Sequence, residues 1–336
     1  MAALWESSIH AKTDDVRTID LRQLPAGHLA ALLDEEIRAW RTVLRWDFRP
    51  SAGLVQHFQD MHALSGCALL AGGRTAGYCY YVVEEHKGLI GDLFVSQAWA
   101  TNANHMFLLG AALEQLRKDS AVRRVESQLM LLDSPKLSSL PLRRYVHAFP
   151  RLFLELDYES APSLPPSDAA QRFTIVPWQE TMHEQAAVML AEAYQDHVDS
   201  EINDQYRSPA GASRFLGNII QYPGCGSFFR PGSFLALSPT THAVVGMSLA
   251  SLVASDCGHI TQLCTAPSAR GQGLGYELMR RSLEALERAG CRATSLTVTA
   301  ANRGAVRLYE RCGFVRRKEF SAHVWEGSTF SGARSS

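Results

Sequence analysis

Apolar residues recur along the chain with two periods, one near two and one near three and a half. In the second half, residues 233–237 and 243–253 alternate or run apolar, as half-buried and buried strands do, and the turn residues Pro239 to Thr241 between them predict a hairpin. Residues 173–177, 259–265 and 293–299 predict further strands, the last rich in β-branched side chains. Residues 182–194 and 210–220 are apolar at helical spacing. Leu274, Leu278, Met279, Leu283 and Leu286 form one apolar stripe, closed by Gly290. Residues 302–311 read as a helix stopped by Gly313, and residues 314–325 as the final strands. The order is mixed α/β.

The first half repeats this order more weakly. Residues 68–71 and 76–83 predict a hairpin around Gly72 and Gly73, residues 89–95 a strand, Met106, Leu109, Leu113 and Leu116 a helical stripe, and residues 125–131 a strand. Gly91-Asp92-Leu93-Phe94-Val95 registers on Thr261-Gln262-Leu263-Cys264-Thr265 at an offset of 263 − 93 = 170 residues. An internal duplication is the physical reading. Between the halves lies DYESAPSLPPSDAAQR, with three prolines and small polar residues that bury little. The expected organisation is therefore a domain over 15–156, a linker over 157–172, a domain over 173–326 and a tail over 327–336.

Composition narrows the class. The chain has 336 residues, 46% apolar and 20% charged, enough for two soluble globular domains. A net charge of −1 implies no global attraction to nucleic acid or an acidic membrane. Charge is uneven locally: residues 270–318 carry eleven Arg or Lys against four Glu, which would suit a polyanionic ligand as well as a solvated helix face. Seven cysteines at irregular spacing, without a CxxC pair, argue against a zinc site or a disulfide framework, and no metal is expected. No apolar run approaches 18 residues and the first twenty residues hold no apolar signal core, so the expected location is the cytoplasm. Oligomeric state is not legible.

One loop carries chemistry. Arg270-Gly271-Gln272-Gly273-Leu274-Gly275 lies between a predicted strand and a predicted helix. The first amides of a helix lack internal partners and the helix dipole is positive there, so such a junction binds anions, phosphates above all. A dinucleotide fingerprint would need GxGxxG and an acid at the end of the next strand; here the order is GxGxG and that strand ends Thr-Val-Thr. A Walker loop needs GxxxxGK[ST], which is absent. The run from Leu263 through Pro267 and Arg270 to Gly275 instead resembles the R/Q-x-x-G-x-G/A motif of the GCN5-related N-acetyltransferase (GNAT) family. Asn302, Ala305, Leu308, Tyr309, Gly313 and Phe314 are similar to that family's later motif, N-x-x-A-x-x-[LF]-Y followed by GF. The likeness covers residues 173–326. It implies two tandem GNAT-like α/β domains, each a mixed, mostly antiparallel central sheet flanked by helices.

The resemblance also implies roles. Leu263, Cys264 and Thr265 would hold the acetyl and pantetheine parts of acetyl-CoA, and residues Gly271, Gln272, Gly273, Leu274, Gly275 and Tyr276, with Arg270, its pyrophosphate. Tyr309 would protonate the departing thiolate, and Asn302 would cap its helix beside the cofactor. His259 stands four residues before Leu263, where the histone acetyltransferase branch carries its catalytic Glu, and an imidazole suits a general base. A hydrogen-bonded structural histidine is the competing reading. Asp196, His197, Glu201 and Tyr206 follow the first helix, where the family often builds its acceptor pocket; a solvated loop explains them equally well. At the 170-residue offset, Arg270 and the three glycines become Ala100, Thr101, Ala103 and His105, and no N-x-x-A-x-x-x-Y run follows. The first half thus reads as a degenerate copy. The expected function is acetyl transfer from acetyl-CoA to a primary amine, small molecule or peptide, by direct attack at one site; a non-catalytic acyl-CoA sensor or partner-binding protein is the alternative.

Overall fold

Backbone pairing in the computed structural model, which describes residues 16–222, 224–327 and Phe330, resolves both periods into elements. In chain order these are β1 (Val16–Asp20), α1 (Ala30–Leu44), α2 (Arg49–Asp60), β2 (Gly66–Ala71), β3 (Arg74–Glu84), β4 (Lys87–Val95), α3 (Asn102–Lys118), β5 (Arg124–Gln128) and β6 (Val146–Asp157). There follow α4 (Ala169–Arg172), β7 (Thr174–Pro177), α5 (His183–Ala193), α6 (Asp199–Ile202), α7 (Pro209–Gln221), β8 (Ser227–Phe228), β9 (Phe234–Leu237), β10 (Val244–Ala254) and β11 (Cys257–Thr265). The chain ends with α8 (Leu274–Arg288), β12 (Ala293–Thr299), α9 (Arg303–Arg311) and β13 (Val315–Glu326). The final strands expected over 314–325 are one uninterrupted strand, and β5 stops three residues short of the expected 131. The tail expected over 327–336 lies outside the described residues apart from Gly327 and Phe330, as does residue 15.

Contacts divide the chain into two compact units whose limits differ from boundaries drawn along the sequence. The first takes its described residues from Met1–Val43, Phe48–Ala148 and Ala322–Ser336; the second is Leu44–Asp47 with Phe149–Ser321. Strand pairing is the reason. Ala322–Glu326 of β13 pairs antiparallel with β5, so the end of the chain belongs to the first unit. Arg151–Asp157 of β6 pairs antiparallel with β12, so that stretch belongs to the second. Four residues of the first half also count with the second unit: the Asp47 amide donates to the Val253 carbonyl at 2.7 Å, and Arg45 pairs with Glu155 and Asp157. The proline-rich linker is better ordered than its composition suggests. Its Tyr158 hydroxyl bonds Leu283 and Thr294, its Pro165 carbonyl accepts from Tyr276, and α4 buries Ala169.

Each unit is a mixed sheet with one parallel pair. In the first, β1, β2, β3 and β4 run antiparallel and β4 pairs parallel with β5; in the second, β7, β9, β10 and β11 run antiparallel and β11 pairs parallel with β12. The duplication expected at an offset of 170 is visible in fine detail. A bulge interrupts β3 and β4 opposite Gly91, and the same bulge interrupts β10 and β11 opposite Thr261. The parallel pairing covers only Lys87–Ile90 in one unit and Cys257–Ile260 in the other, after which the strands part. Leu108, Leu109, Leu113 and Leu116 of α3 fill one core with Trp325, and Met279, Leu283 and Leu286 of α8 fill the other with Leu296. No helix among the described residues is long and apolar enough to cross a membrane.

Candidate functional site

The parting of β11 from β12 creates the site. Gly246, Met247 and Ser248 of β10 hold one edge of Thr265, Cys264 and Leu263, while β12 pairs no further than Ile260. The backbone of residues 263–265 therefore keeps an unpaired edge toward the gap. A cleft of about 790 Å³ opens there. Its walls are Leu263, Cys264 and Thr265, the loop residues Arg270, Gly271, Gly273 and Gly275 with Tyr276, the start of α9 at Asn302, Gly304 and Ala305, and the end of α5 at Ala193, Tyr194 and His197.

The loop geometry suits an anion. Gly271 and Gly273 sit at φ of +73° and +78°, a left-handed region that strains any residue bearing a Cβ. Gly273 is the N-cap of α8, and no side chain caps that helix. Its first amides are thus left for a ligand, at the positive end of a 15-residue helix. Arg270 lines the cleft, but its guanidinium donates to the Ala193 carbonyl at 2.7 Å, which ties the loop to α5. Gln272 and Leu274 do not face the cleft. The Gln272 amide donates to Ser268, and Leu274 is buried against Ala236 and Leu278. Asn302 caps α9 by accepting from the Ala305 amide at 3.2 Å.

Tyr309 and His259 are both buried. Tyr309 is 8% exposed and packs edge-on against Phe314, next to the cleft-lining Leu308. Burial, with the negative charge of Asp199 next, pushes its phenol upward, so it stays protonated and able to donate. His259 lies off the cleft. It is 4% exposed, its Nδ1 lies 2.9 Å from the Ser295 hydroxyl, and the Trp46 ring stands edge-on at 4.8 Å. Burial lowers its imidazole to about 3. These surroundings are those of the hydrogen-bonded histidine, the competing reading of this residue, rather than of a base open to the cleft. Trp46 comes from more than two hundred residues upstream, so its place over His259 had no local signal. Cys264 lines the cleft, yet burial pushes its thiol up to about 12, which leaves it un-ionised.

A polar cluster that sequence reasoning missed stands beside Tyr309. Asp199 accepts from Thr299 Oγ1 and pairs with Arg151 at 3.5 Å; Arg151 also donates to Thr297 and Thr299 at 3.1 and 3.2 Å. Gln262 donates to the Tyr194 hydroxyl and accepts from that of Tyr206, and the two tyrosine rings stack at 4.2 Å. Asp199, Arg151 and Thr299 come from three distant elements. Of the residues expected in an acceptor pocket, the structure puts only His197 on the cleft wall.

The first unit keeps the parted strands without the cradle. A cleft of about 610 Å³ lies at Leu93, Phe94 and Val95. Thr101 caps α3, its hydroxyl accepting from the Asn104 amide at 3.1 Å, so one helix-terminal amide is already occupied. His105, the counterpart of Gly275 at the 170-residue offset, sets its ring Nδ1 2.8 Å from the Thr101 carbonyl.

Residues 190–314 match the family model described as acetyltransferase (GNAT) family. The matched stretch lies within the second half and contains the glycine loop, Asn302 and Tyr309. A 70-residue stretch is 34% identical to an N-alpha-acetyltransferase MAK3 of Arabidopsis thaliana, covering 21% of this chain and 37% of that protein. A 109-residue stretch is 31% identical to a mycothiol acetyltransferase of Renibacterium salmoninarum, covering 31% and 32%. The chain thus spans about a third of the length of the relatives it matches. Two solved structures share the fold across the chain. A GCN5-related N-acetyltransferase from Sphaerobacter thermophilus superposes with a TM-score of 0.64 at 17% identity, covering 93% of this chain and 95% of that one. A tandem GNAT protein from the clavulanic acid biosynthesis pathway gives 0.58 at 15%, covering 93% and 98%. The tandem GNAT fold therefore extends over both halves.

Proposed function

We propose that this protein transfers an acetyl group from acetyl-CoA to a primary amine at one site, the cleft of the second unit. The observation that carries the reading is the uncapped start of α8, with its two left-handed glycines, directly beyond the unpaired edge of residues 263–265. The pyrophosphate would lie on the helix amides, and the pantetheine arm along the unpaired strand edge. A strand amide there would donate to the thioester oxygen as it gains negative charge. The amine would attack the carbonyl directly, since Cys264 is held as a thiol. Tyr309 would supply the proton that the thiolate takes up.

Release of free thiol from acetyl-CoA in the presence of a panel of primary amines tests the reading. Turnover with at least one amine is expected, with one acetyl-CoA bound per chain by calorimetry. Tyr309→Phe should bind acetyl-CoA normally and lose on the order of 10²-fold in kcat. Binding without turnover across the panel would favour an acyl-CoA sensor instead.

A further inference from the structure

We propose that Tyr194 sets the length of acyl chain that the donor can carry, admitting acetyl and rejecting longer chains, an inference that rests on the acyl transfer proposed above. The glycine loop fixes one end of the donor and β11 fixes its direction. That strand runs toward the loop, so the pantetheine arm would pass Thr265 first and Leu263 last. The Ala266 amide donates to the Val245 carbonyl of β10 at 2.9 Å, so by strand alternation the amides of Thr265 and Leu263 face the gap. A thioester oxygen on the Leu263 amide puts the acyl group at the closed end of the cleft. Ahead of it β12 rejoins β11 at Ile260, and on one side Tyr309 packs with the core of α8 and α9. The other side is bounded by Tyr194, which follows α5 and lines the cleft.

Three neighbours hold that ring in place. Its hydroxyl accepts from the side-chain amide of Gln262, one residue before Leu263, at 2.8 Å. Its face stacks on Tyr206 at 4.2 Å with 19° between the planes, and Tyr206 meets Phe215 of α7 edge-on at 4.9 Å. The His197 ring stands edge-on to it at 5.1 Å. Gln262 Oε1 also accepts from the Tyr206 hydroxyl at 3.2 Å, so one side chain of β11 ties both phenols. Burial above all raises both phenols, so they stay protonated and the bonds persist. Behind the pair lies the core shared by α5 and α7. A ring supported on three sides cannot yield to a longer chain without losing its partners, and a close-packed interior resists overfilling. An acetyl methyl stops short of the ring, whereas each further methylene would enter the space that the ring fills.

The first unit shows the same strand position put to another use. At the 170-residue offset Gln262 becomes Asp92, whose carboxylate accepts from the Leu93 amide at 2.7 Å and so closes the counterpart of the Leu263 amide. Gln262 has the longer side chain and reaches across to the two tyrosines instead. The Leu263 amide is thereby left to the donor, and the wall beyond it is fixed by the same residue.

The test uses the full chain, acetyl-CoA and butyryl-CoA as donors, and the primary amine of the panel that turns over fastest. The unsubstituted protein should prefer acetyl-CoA by on the order of 10²-fold in kcat/KM. Tyr194→Ala should lower that ratio at least about tenfold, by raising the butyryl rate as well as by lowering the acetyl rate. Tyr194→Leu, which keeps an apolar side chain for the core, reads the same change if Tyr194→Ala misfolds. Tyr194→Phe loses the bond to Gln262 but keeps the ring, and should keep the preference. Calorimetry reads the wall without turnover: butyryl-CoA should bind more weakly than acetyl-CoA to the unsubstituted protein and about equally to Tyr194→Ala. Equal use of the two donors by the unsubstituted protein overturns the inference, as does a ratio unchanged in Tyr194→Ala and Tyr194→Leu. A preference lost as fully in Tyr194→Phe as in Tyr194→Ala overturns it too, since the bulk of the ring is still there. A preference for acetyl-CoA in binding, relieved in Tyr194→Ala but without turnover of either donor, supports the wall and overturns the acyl-transfer reading.

Discussion

His259 and His197 are the same side chain in opposite settings: one is buried off the cleft and the other lines its wall. Trp46 and Ser295 close over His259, and burial keeps it neutral down to about 3. In the unfolded chain a histidine takes up its proton near 6.5. Between those values the unfolded chain binds a proton that the fold refuses. Stability from this residue is therefore intact above about 6.5 and is lost as pH falls toward about 3, by up to about 1.4 kcal/mol per pH unit. His323, lowered to about 4 by burial, acts in the same direction. His259→Gln should show a smaller fall in unfolding free energy between pH 7 and pH 5 than the unsubstituted protein, measured by urea titration. It should also retain any neutral inflection in the pH–rate profile. A vanished inflection would return His259 to the chemistry. The glycines are a second case where one atom matters. Gly273→Ala would force a Cβ into the left-handed region, at a cost of about 1–2 kcal/mol. It should weaken acetyl-CoA binding by calorimetry while leaving the first unit's unfolding unchanged.

At the level of elements, α8 joins the site to the linker. Its apolar stripe of Leu278, Met279, Leu283 and Leu286 is plain in the sequence, as is the glycine loop that starts it. Glu277 is not, since it reads as one more surface acid on a basic helix. In the fold it is fully buried and accepts from Arg280, Arg281 and the Ser167 amide. Burial opposes its charge, but the two guanidiniums and that amide outweigh burial and hold the carboxyl near 2. The unfolded carboxyl titrates near 4.3. The stabilisation is thus present above that value and lost as pH falls through about 2. Glu277→Gln should cost roughly 2 kcal/mol at pH 7, because the charge-assisted bonds from Arg280 and Arg281 weaken and Arg280 is left with Glu284 alone. The difference from the unsubstituted protein should shrink at pH 3, as urea unfolding at both values would read. A difference that does not move with pH would mean that packing, not charge, anchors the linker.

On the scale of the whole molecule, the first unit is completed by the end of the chain. Ala322–Glu326 pairs with β5, Trp325 is fully buried with its indole N–H donating to Pro141, and Arg124 pairs with Glu326. Ending the chain at Ser321 removes these contacts; losing a buried Trp alone costs about 3–5 kcal/mol. Limited proteolysis of that truncation should cut within residues 16–148 first, although the deletion lies at the other end. Preferential cleavage within residues 149–321 would contradict the division. By itself the sequence determined the mixed α/β order, the 170-residue repeat, the glycine loop and the loss of that loop from the first half. These are local signals: a periodicity, a glycine spacing, a cap. Tertiary structure alone decided that Leu44–Asp47 joins the second unit, that Ala322–Glu326 joins the first, and that Asp199 meets Arg151 and Thr299. It also decided that His197 rather than His259 faces the cleft. Each of these turns on a partner tens to hundreds of residues away, and neither burial nor hydrogen-bond pairing at such distance leaves a mark in a local window.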